Sequence, residues 1–235
     1  GIPMMTRAEL LGQIMKNYGE AIAISGTHGK TTTTSMVTEI LLAAEKDPTI
    51  SVGGILHSIG GNIRVGGPGL FVTEACEYTN SFLSFFPTME IILNIEADHL
   101  DFFKDLDDIR HSFRLFAEKL DERGLLIINR DIKNYEEISG GLPCRVVTFG
   151  HSKESDYSAA DITYDAFARP TFTLVEQGKA AGTITLGVPG EHNVYNALAA
   201  IATAKALGIP DTAIADGLLH FTGTDRRFEE KGELN

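Results

Sequence analysis

The chain has 235 residues, 43% of them hydrophobic, enough for a full core in one large domain or two small ones and too apolar for a disordered chain. Twenty lysines and arginines against 32 aspartates and glutamates give a net charge of −12, which excludes a general nucleic-acid or anionic-membrane surface but not a nucleotide, since that is gripped locally. Two cysteines without metal spacing, Cys76 and Cys144, fit a reduced, cytoplasmic setting, and neither a run of about 18 apolar residues nor a signal peptide predicts membrane insertion or export.

In chain order, Thr6 and Glu9 form a capping box, and Leu10, Leu11, Ile14 and Met15 follow at helical spacing until Gly19. AIAI at 21–24 is a short strand. It runs into SGTHGKTTTTSMV (25–37) and a helix over 31–46 with Met36, Val37, Ile40 and Leu41 on one face. Residues 50–52 predict a short strand, and seven glycines between 53 and 69 predict a flexible loop. LFVTE (70–74) and EIILN (90–94) are apolar strands with polar ends. An amphipathic helix over 105–123 carries Ile109, Phe113, Phe116 and Leu120 on one face. A strand at 125–129, a short helix at 131–139 and a strand at 145–149 follow. The period then becomes two, with TFTLV and GTITLGV paired across a turn at 176–179, and helices return at 192–207 and 210–219. The predicted fold class is α/β: a mostly parallel sheet flanked by helices and built around a phosphate loop, with a small antiparallel β-subdomain at about 156–189. The ends, GIPMM and EEKGELN, predict a piece of a longer chain.

The stretch 25–37 carries the chemistry. It matches G-x-x-x-x-G-K-[ST] with Ser25 in the place of the first glycine. Gly26 and Gly29 let backbone N–H groups turn onto phosphate oxygens, Lys30 brings positive charge, Thr31 offers a hydroxyl to Mg²⁺, and the helix adds its dipole. Gly26, Thr27, His28, Gly29, Lys30, Thr31 and Thr32 are therefore the candidate nucleotide-binding residues. Four successive threonines are poor helix formers, a cost that makes sense if the first hydroxyls meet a ligand or metal. Mg²⁺ needs an acidic partner for Thr31 at a neighbouring strand end. Glu74, Glu77, Glu96 and Asp98 are candidates. The segment NIEADHLD (94–101) gathers His99 with three carboxylates; it serves either this site or merely a solvated loop capping the next helix. No N-K-x-D guanine motif is present, since Asn129-Arg130-Asp131 is one residue short. His192, Asn193 and Asn196 open a helix, where amides could read an adenine edge and an imidazole could stack; a helix cap is the plainer alternative. Arg226 and Arg227 offer planar cations for a γ-phosphate.

GTHGKTTTT (26–34), EACEY (74–78), NIEADHLD (94–101), GEHNVYNALAA (190–200) and RRF (226–228), in this order, resemble the Mur ligase family, and they span nearly the whole chain. The resemblance covers the family's central ATP-binding domain; an N-terminal UDP-sugar domain and a C-terminal domain would lie outside these residues. It implies an ADP-forming ligase that uses ATP and Mg²⁺ to activate the carboxylate of UDP-N-acetylmuramate as an acyl phosphate, which L-alanine then attacks in peptidoglycan precursor synthesis. It implies roles for Lys30 on the β- and γ-phosphates, Thr31 and Glu74 on the first Mg²⁺, and His99 on the second. His192, Asn193 and Asn196 would serve the adenine, and Arg227 a phosphate. By the same resemblance Lys30, His99 and Arg227 are the catalytic candidates. RHSFRLF lacks the lysine that several sister ligases carry after this segment, which favours the alanine-adding branch. Cys76 stands where aspartate is common, a departure that leaves a direct role for its neighbour Glu77 open. Two alternatives stand beside this reading: a murein-tripeptide recycling ligase of the same family, and a stand-alone nucleotide-binding regulatory module. The sequence sets no oligomeric state.

Overall fold

In a computed structural model, residues 4–224 are described. Helix α1 (Arg7–Met15) begins with the expected capping box: the Thr6 N–H donates to Glu9 Oε2 at 2.6 Å and the Glu9 N–H to Thr6 Oγ1 at 3.2 Å. Then follow β1 (Glu20–Ser25), α2 (Lys30–Ala43), β2 (Thr49–Leu56), β3 (Gly61–Arg64), β4 (Leu70–Ala75), β5 (Met89–Ile92), α3 (Leu106–Ala117), β6 (Leu125–Asn129), α4 (Glu136–Ser139) and β7 (Arg145–Phe149). Strands β8 (Tyr157–Tyr164), β9 (Pro170–Glu176) and β10 (Lys179–Thr185) precede helices α5 (His192–Ala206) and α6 (Asp211–His220).

All ten strands form one sheet in the order β10-β9-β8-β7-β6-β5-β1-β4-β2-β3. From β8 through to β2 neighbours run parallel; β3 at one end and β9 and β10 at the other are antiparallel. The parallel strands are buried on both faces, so they read as continuous apolar runs. In β1, Ile22 and Ile24 join a core layer with Val37, Ile40, Leu198 and Ile201, whereas Ala21 and Ala23 face a second layer with Phe82, Phe113 and Phe116. Helices α2, α5 and α6 supply the first layer, α1 and α3 the second.

The chain leaves β1 toward β2 and β4, then returns to β5 on the other side of β1. The strand order therefore reverses at β1, and in open α/β sheets ligands gather in the crevice at such a point. Ser25, the last residue of β1, pairs with Ala75 and Ile92 at the ends of β4 and β5. The phosphate loop thus lies between the segments following those two strands.

Three expectations change. Residues 53–69 are not a structureless loop: β2 continues to Leu56, and after one 3₁₀ turn (His57–Ile59) the chain returns as β3. Burial of Val52 and Leu56 holds this hairpin to the core despite its glycines. The helix expected over 131–139 shrinks to α4, because Asn129 Oδ1 accepts the Asp131 N–H at 2.8 Å and Asn134 turns left-handed at φ 53°. Helix α3 starts after the Asp105 cap, whose carboxylate accepts the Asp108 N–H, and ends at Ala117, short of 123. The antiparallel strands beyond residue 156 are present, and β8 joins them to the main sheet through the pair Phe149–Tyr157.

Candidate functional site

The phosphate loop has the backbone the motif demands. Gly26 and Gly29 sit at φ 138° and 85°, where a side chain is strained. A Cβ on Gly29 would also lie 2.5 Å from Asn196 Oδ1 on α5, so the loop can approach that helix only with glycine. Asn94 clamps the loop from the β5 side: its Oδ1 accepts the His28 N–H at 2.7 Å and its Nδ2 donates to the His28 carbonyl at 3.0 Å. The Thr27 hydroxyl accepts the Glu96 N–H at 2.9 Å.

Lys30 opens α2 and folds back over the loop. Its ammonium donates to the Gly26 carbonyl, to the Thr27 carbonyl at 3.3 Å and to Glu77 Oε2 at 3.0 Å. The Lys30 side chain is 15% exposed and that of Glu77 only 2%; two charges so far from water persist because they are paired. One residue on, the Thr31 hydroxyl donates to Glu74 Oε2 at 3.2 Å, while the other oxygen of Glu74 accepts the Gly53 N–H. His99 Nε2 lies 4.0 Å from Glu77 Oε1. The His99 ring lies tilted against Tyr78 with centroids 4.6 Å apart, and the His99 backbone N–H donates to Asp98 Oδ1 at 2.7 Å. The structure thus brings Gly26, Gly29, Lys30, Thr31, Glu74 and His99 to one edge, with Glu77 among them. Glu96 and Asp98 are more exposed and form the rim. Thr33 and Thr34 are fully buried, so only Thr31 and Thr32 of the threonine run face the site.

Beside the loop lies a cavity of about 650 Å³. His28, Gly29, Thr32 and Asn94 line one side, and His192, Tyr195 and Asn196 another. Asn193 does not line it. It is buried behind, its Nδ2 donating to the Pro189 carbonyl at 2.7 Å and its Oδ1 accepting from Asn196 Nδ2 at 3.0 Å, so it orients the Asn196 amide. Sequence reasoning missed the third wall: Asn129, Asp131, Phe149 and His151. Asp131 Oδ2 contacts His151 Nδ1 at 2.7 Å, and the His151 ring stacks on Tyr195 with centroids 3.7 Å apart. Burial, with the negative Glu191 and Asp131 nearby, pushes the Tyr195 hydroxyl up to about 12, so it stays a neutral donor. Asn129 and Asp131 had a signal as polar residues at a strand end; His151 had none. Arg227 lies outside the described residues.

These residues fit a magnesium nucleotide. The glycine cradle leaves room beside backbone N–H groups, and the Thr31 hydroxyl and Glu74 carboxylate form a hard-oxygen pair at its side. Among the described residues no three His, Cys, Asp or Glu side chains converge on one point. Mg²⁺ takes one or two protein oxygens and completes its shell with phosphate and water, a demand that the Thr31 hydroxyl and the Glu74 carboxylate can meet.

The sequence profile of the Mur ligase middle domain matches residues 24–204. The UDP-N-acetylmuramate–L-alanine ligase of Lachnospira eligens is 66% identical over 236 residues, covering 100% of this chain and 51% of that protein. Its counterpart from Agathobacter rectalis is 59% identical over 235 residues, with the same shares. The chain therefore spans about half the length of the curated relatives it matches. Among solved structures, the UDP-N-acetylmuramate–alanine ligase of Thermotoga maritima superposes with a TM-score of 0.79 at 33% identity, covering 92% of this chain and 48% of that one. The Neisseria UDP-N-acetylmuramate:L-alanyl-γ-D-glutamyl-meso-diaminopimelate ligase gives 0.85 at 27% identity, covering 96% and 73%.

Proposed function

The chain belongs to the Mur ligase family, and on that premise we propose that it is the ATP-binding central domain of an ADP-forming ligase joining L-alanine to UDP-N-acetylmuramate. The setting is the cytoplasmic assembly of peptidoglycan precursors; among the described residues no helix is long and apolar enough to cross a membrane. The observation that carries this reading is the pairing of Thr31 with Glu74 beside Lys30, at the point where the strand order reverses. The choice of alanine is supported by the relatives just named. The Neisseria structure favours a second reading, a ligase for a preformed peptide, through its higher TM-score, but its sequence is far less similar.

The chemistry needs activation because oxide is a hopeless leaving group for an amine attacking a carboxylate. When bound, Mg²⁺–ATP supplies an electrophilic γ-phosphoryl group. The carboxylate that accepts it becomes an acyl phosphate, and the alanine amine then displaces phosphate to leave the amide. In this reading Lys30 holds the β- and γ-phosphates, and Thr31 and Glu74 hold the first Mg²⁺. His99 would hold the second metal ion, which would neutralise charge on the reacting groups. His192 and Asn196 receive the adenine, with Asn193 setting the Asn196 amide. Arg227 remains the candidate for a further phosphate contact. The catalytic gain comes from positioning and charge neutralisation.

Replacing Lys30 by alanine removes the ammonium that folds back over the loop. We expect ATP affinity to fall by about 10–100-fold in calorimetry, as a lost charge-assisted contact in a shielded site. Unchanged affinity would sink the phosphate-loop assignment. In the full-length protein, ADP release should require both UDP-N-acetylmuramate and L-alanine, and release driven equally by a tripeptide would favour the second reading.

A further inference from the structure

We propose that Glu77 is a positioning residue: it holds the Lys30 ammonium over the loop and gives it up to the nucleotide's phosphates. The proposal rests on the phosphate-loop reading above and extends it to a residue with no assigned role. Lys30 has three N–H donors. In this structure they reach the Gly26 carbonyl, the Thr27 carbonyl and Glu77, all groups of the chain itself. A phosphate gains that ammonium by displacing one of these partners, and the carboxylate is the one that carries charge.

The backbone around Glu77 is shaped to keep it inward. Thr79 and Asn80, the residues after Tyr78, adopt left-handed φ of 55° and 56°, and His99 on the facing segment adopts 50°. Such conformations are costly without glycine and persist where surrounding contacts enforce them. Those contacts are present. The Asn80 N–H donates to the Glu77 carbonyl at 2.8 Å, the Asn80 side chain accepts from Ser112 on α3, and the Ser81 hydroxyl donates to the Cys76 carbonyl at 2.9 Å. The result is a carboxylate 2% exposed, placed between Lys30 at 3.0 Å and His99 Nε2 at 4.0 Å. A buried carboxylate abandoned by its partner would be strongly destabilised. His99 answers that problem, since it can approach Glu77 as Lys30 leaves. Glu77 thus sets how far Lys30 travels and biases the side of His99 that faces the reacting centre.

Glu77 therefore opposes nucleotide binding in the absence of metal. In the full-length protein, Glu77→Gln should bind metal-free ATP about tenfold more tightly than wild type in calorimetry, the size expected when the Lys30 ammonium no longer has to leave a charged partner in a partly screened site. In a Lys30→Ala background the same change should give a clearly smaller gain. Equal or weaker ATP binding by a folded Glu77→Gln protein overturns the proposal, as does an equal gain in both backgrounds. If Glu77→Gln does not fold, the wild-type protein decides. Crystallised with a non-hydrolysable ATP analogue, it should show Lys30 Nζ moved from Glu77 onto phosphate oxygens, and a retained Lys30–Glu77 pair overturns the proposal. Wild type that binds no ATP would instead defeat the phosphate-loop reading, and this inference with it.

Discussion

At the scale of single residues, the sharpest energetic anomaly lies outside the site. Glu90 on β5 is completely buried, and neither carboxyl oxygen has a hydrogen-bond partner among the described residues. Ala23 and Leu126 flank it in register, in the core layer that holds Phe82, Phe113 and Phe116. Burial pushes its carboxyl well above the usual carboxylate range, with Lys119 pulling weakly the other way. The folded state thus keeps a proton that the unfolded chain loses near 4.5. Its contribution to stability is full below that value and is lost as the pH rises. Glu90→Gln removes the titration, so the variant should gain on wild type from pH 5 to pH 8, by about 1–3 kcal/mol in urea unfolding. A difference that stays flat or runs the other way would refute this account. The residue was not legible in the sequence, where it reads as the polar start of an apolar strand. By contrast Gly26, Gly29, Lys30 and Thr31 were legible, because a phosphate loop is a local structure whose residues are contiguous. Glu77 was legible as one of four acidic candidates but not as the partner of Lys30, and His151 was not legible at all, since these partners lie 47 and 20 positions away along the chain.

At the scale of elements, what decided success was whether a segment's own period fixed it. The capping box of α1 is local, and it formed. The hairpin β2–β3 failed because its glycines signal a loop, whereas the burial of Val52 and Leu56 that shapes it comes from other elements. Helix α6 shows the opposite conflict. Gly217 lies in its interior, and glycine there costs about 1 kcal/mol relative to alanine. Yet a Cβ at this position would lie 2.6 Å from the Ile40 Cα and 2.7 Å from its nitrogen on α2. Backbone cannot swing aside as a flexible side chain does, so the two helices would have to separate. Overpacking of this kind costs about 1–3 kcal/mol, enough to outweigh the propensity gain. Gly217→Ala should therefore lower unfolding free energy by about 1–2 kcal/mol. A variant as stable as wild type, or more so, would show that α6 sits more loosely on α2 than the structure describes.

For the whole molecule, the question is whether the antiparallel strands form a unit of their own. The change of sequence period beyond residue 156 suggests an appended subdomain, and by hydrogen bonding the link is thin, a single parallel pair between β7 and β8. Packing argues otherwise. Phe172, Leu174 and Ile184 of β9 and β10 belong to the same core layer as Ile22 and Ile24 of β1 and Val194 and Leu198 of α5. Helix α5 closes over that layer along its length, and a side chain in the layer cannot be released without exposing its neighbours. Hydrophobic burial is shared across the layer while hydrogen bonds stay within strand pairs, so the burial sets cooperativity. Phe172, 1% exposed, tests this. Truncation to alanine should cost about 3–5 kcal/mol, and if the core is one unit the loss must appear as a downward shift of a single transition. Amides of β1 and β9 should then lose hydrogen-exchange protection together, since both would exchange through the same global opening. Two calorimetric transitions, with β9 exposed in the first and β1 still protected, would establish a separate subdomain. The site depends on the outcome: α5 carries His192, Tyr195 and Asn196 on the cavity while packing its other face on this layer. A cooperative core means that this cavity wall is held by the strands on which α5 rests, so Phe172→Ala should loosen nucleotide binding only at temperatures where the whole molecule begins to open.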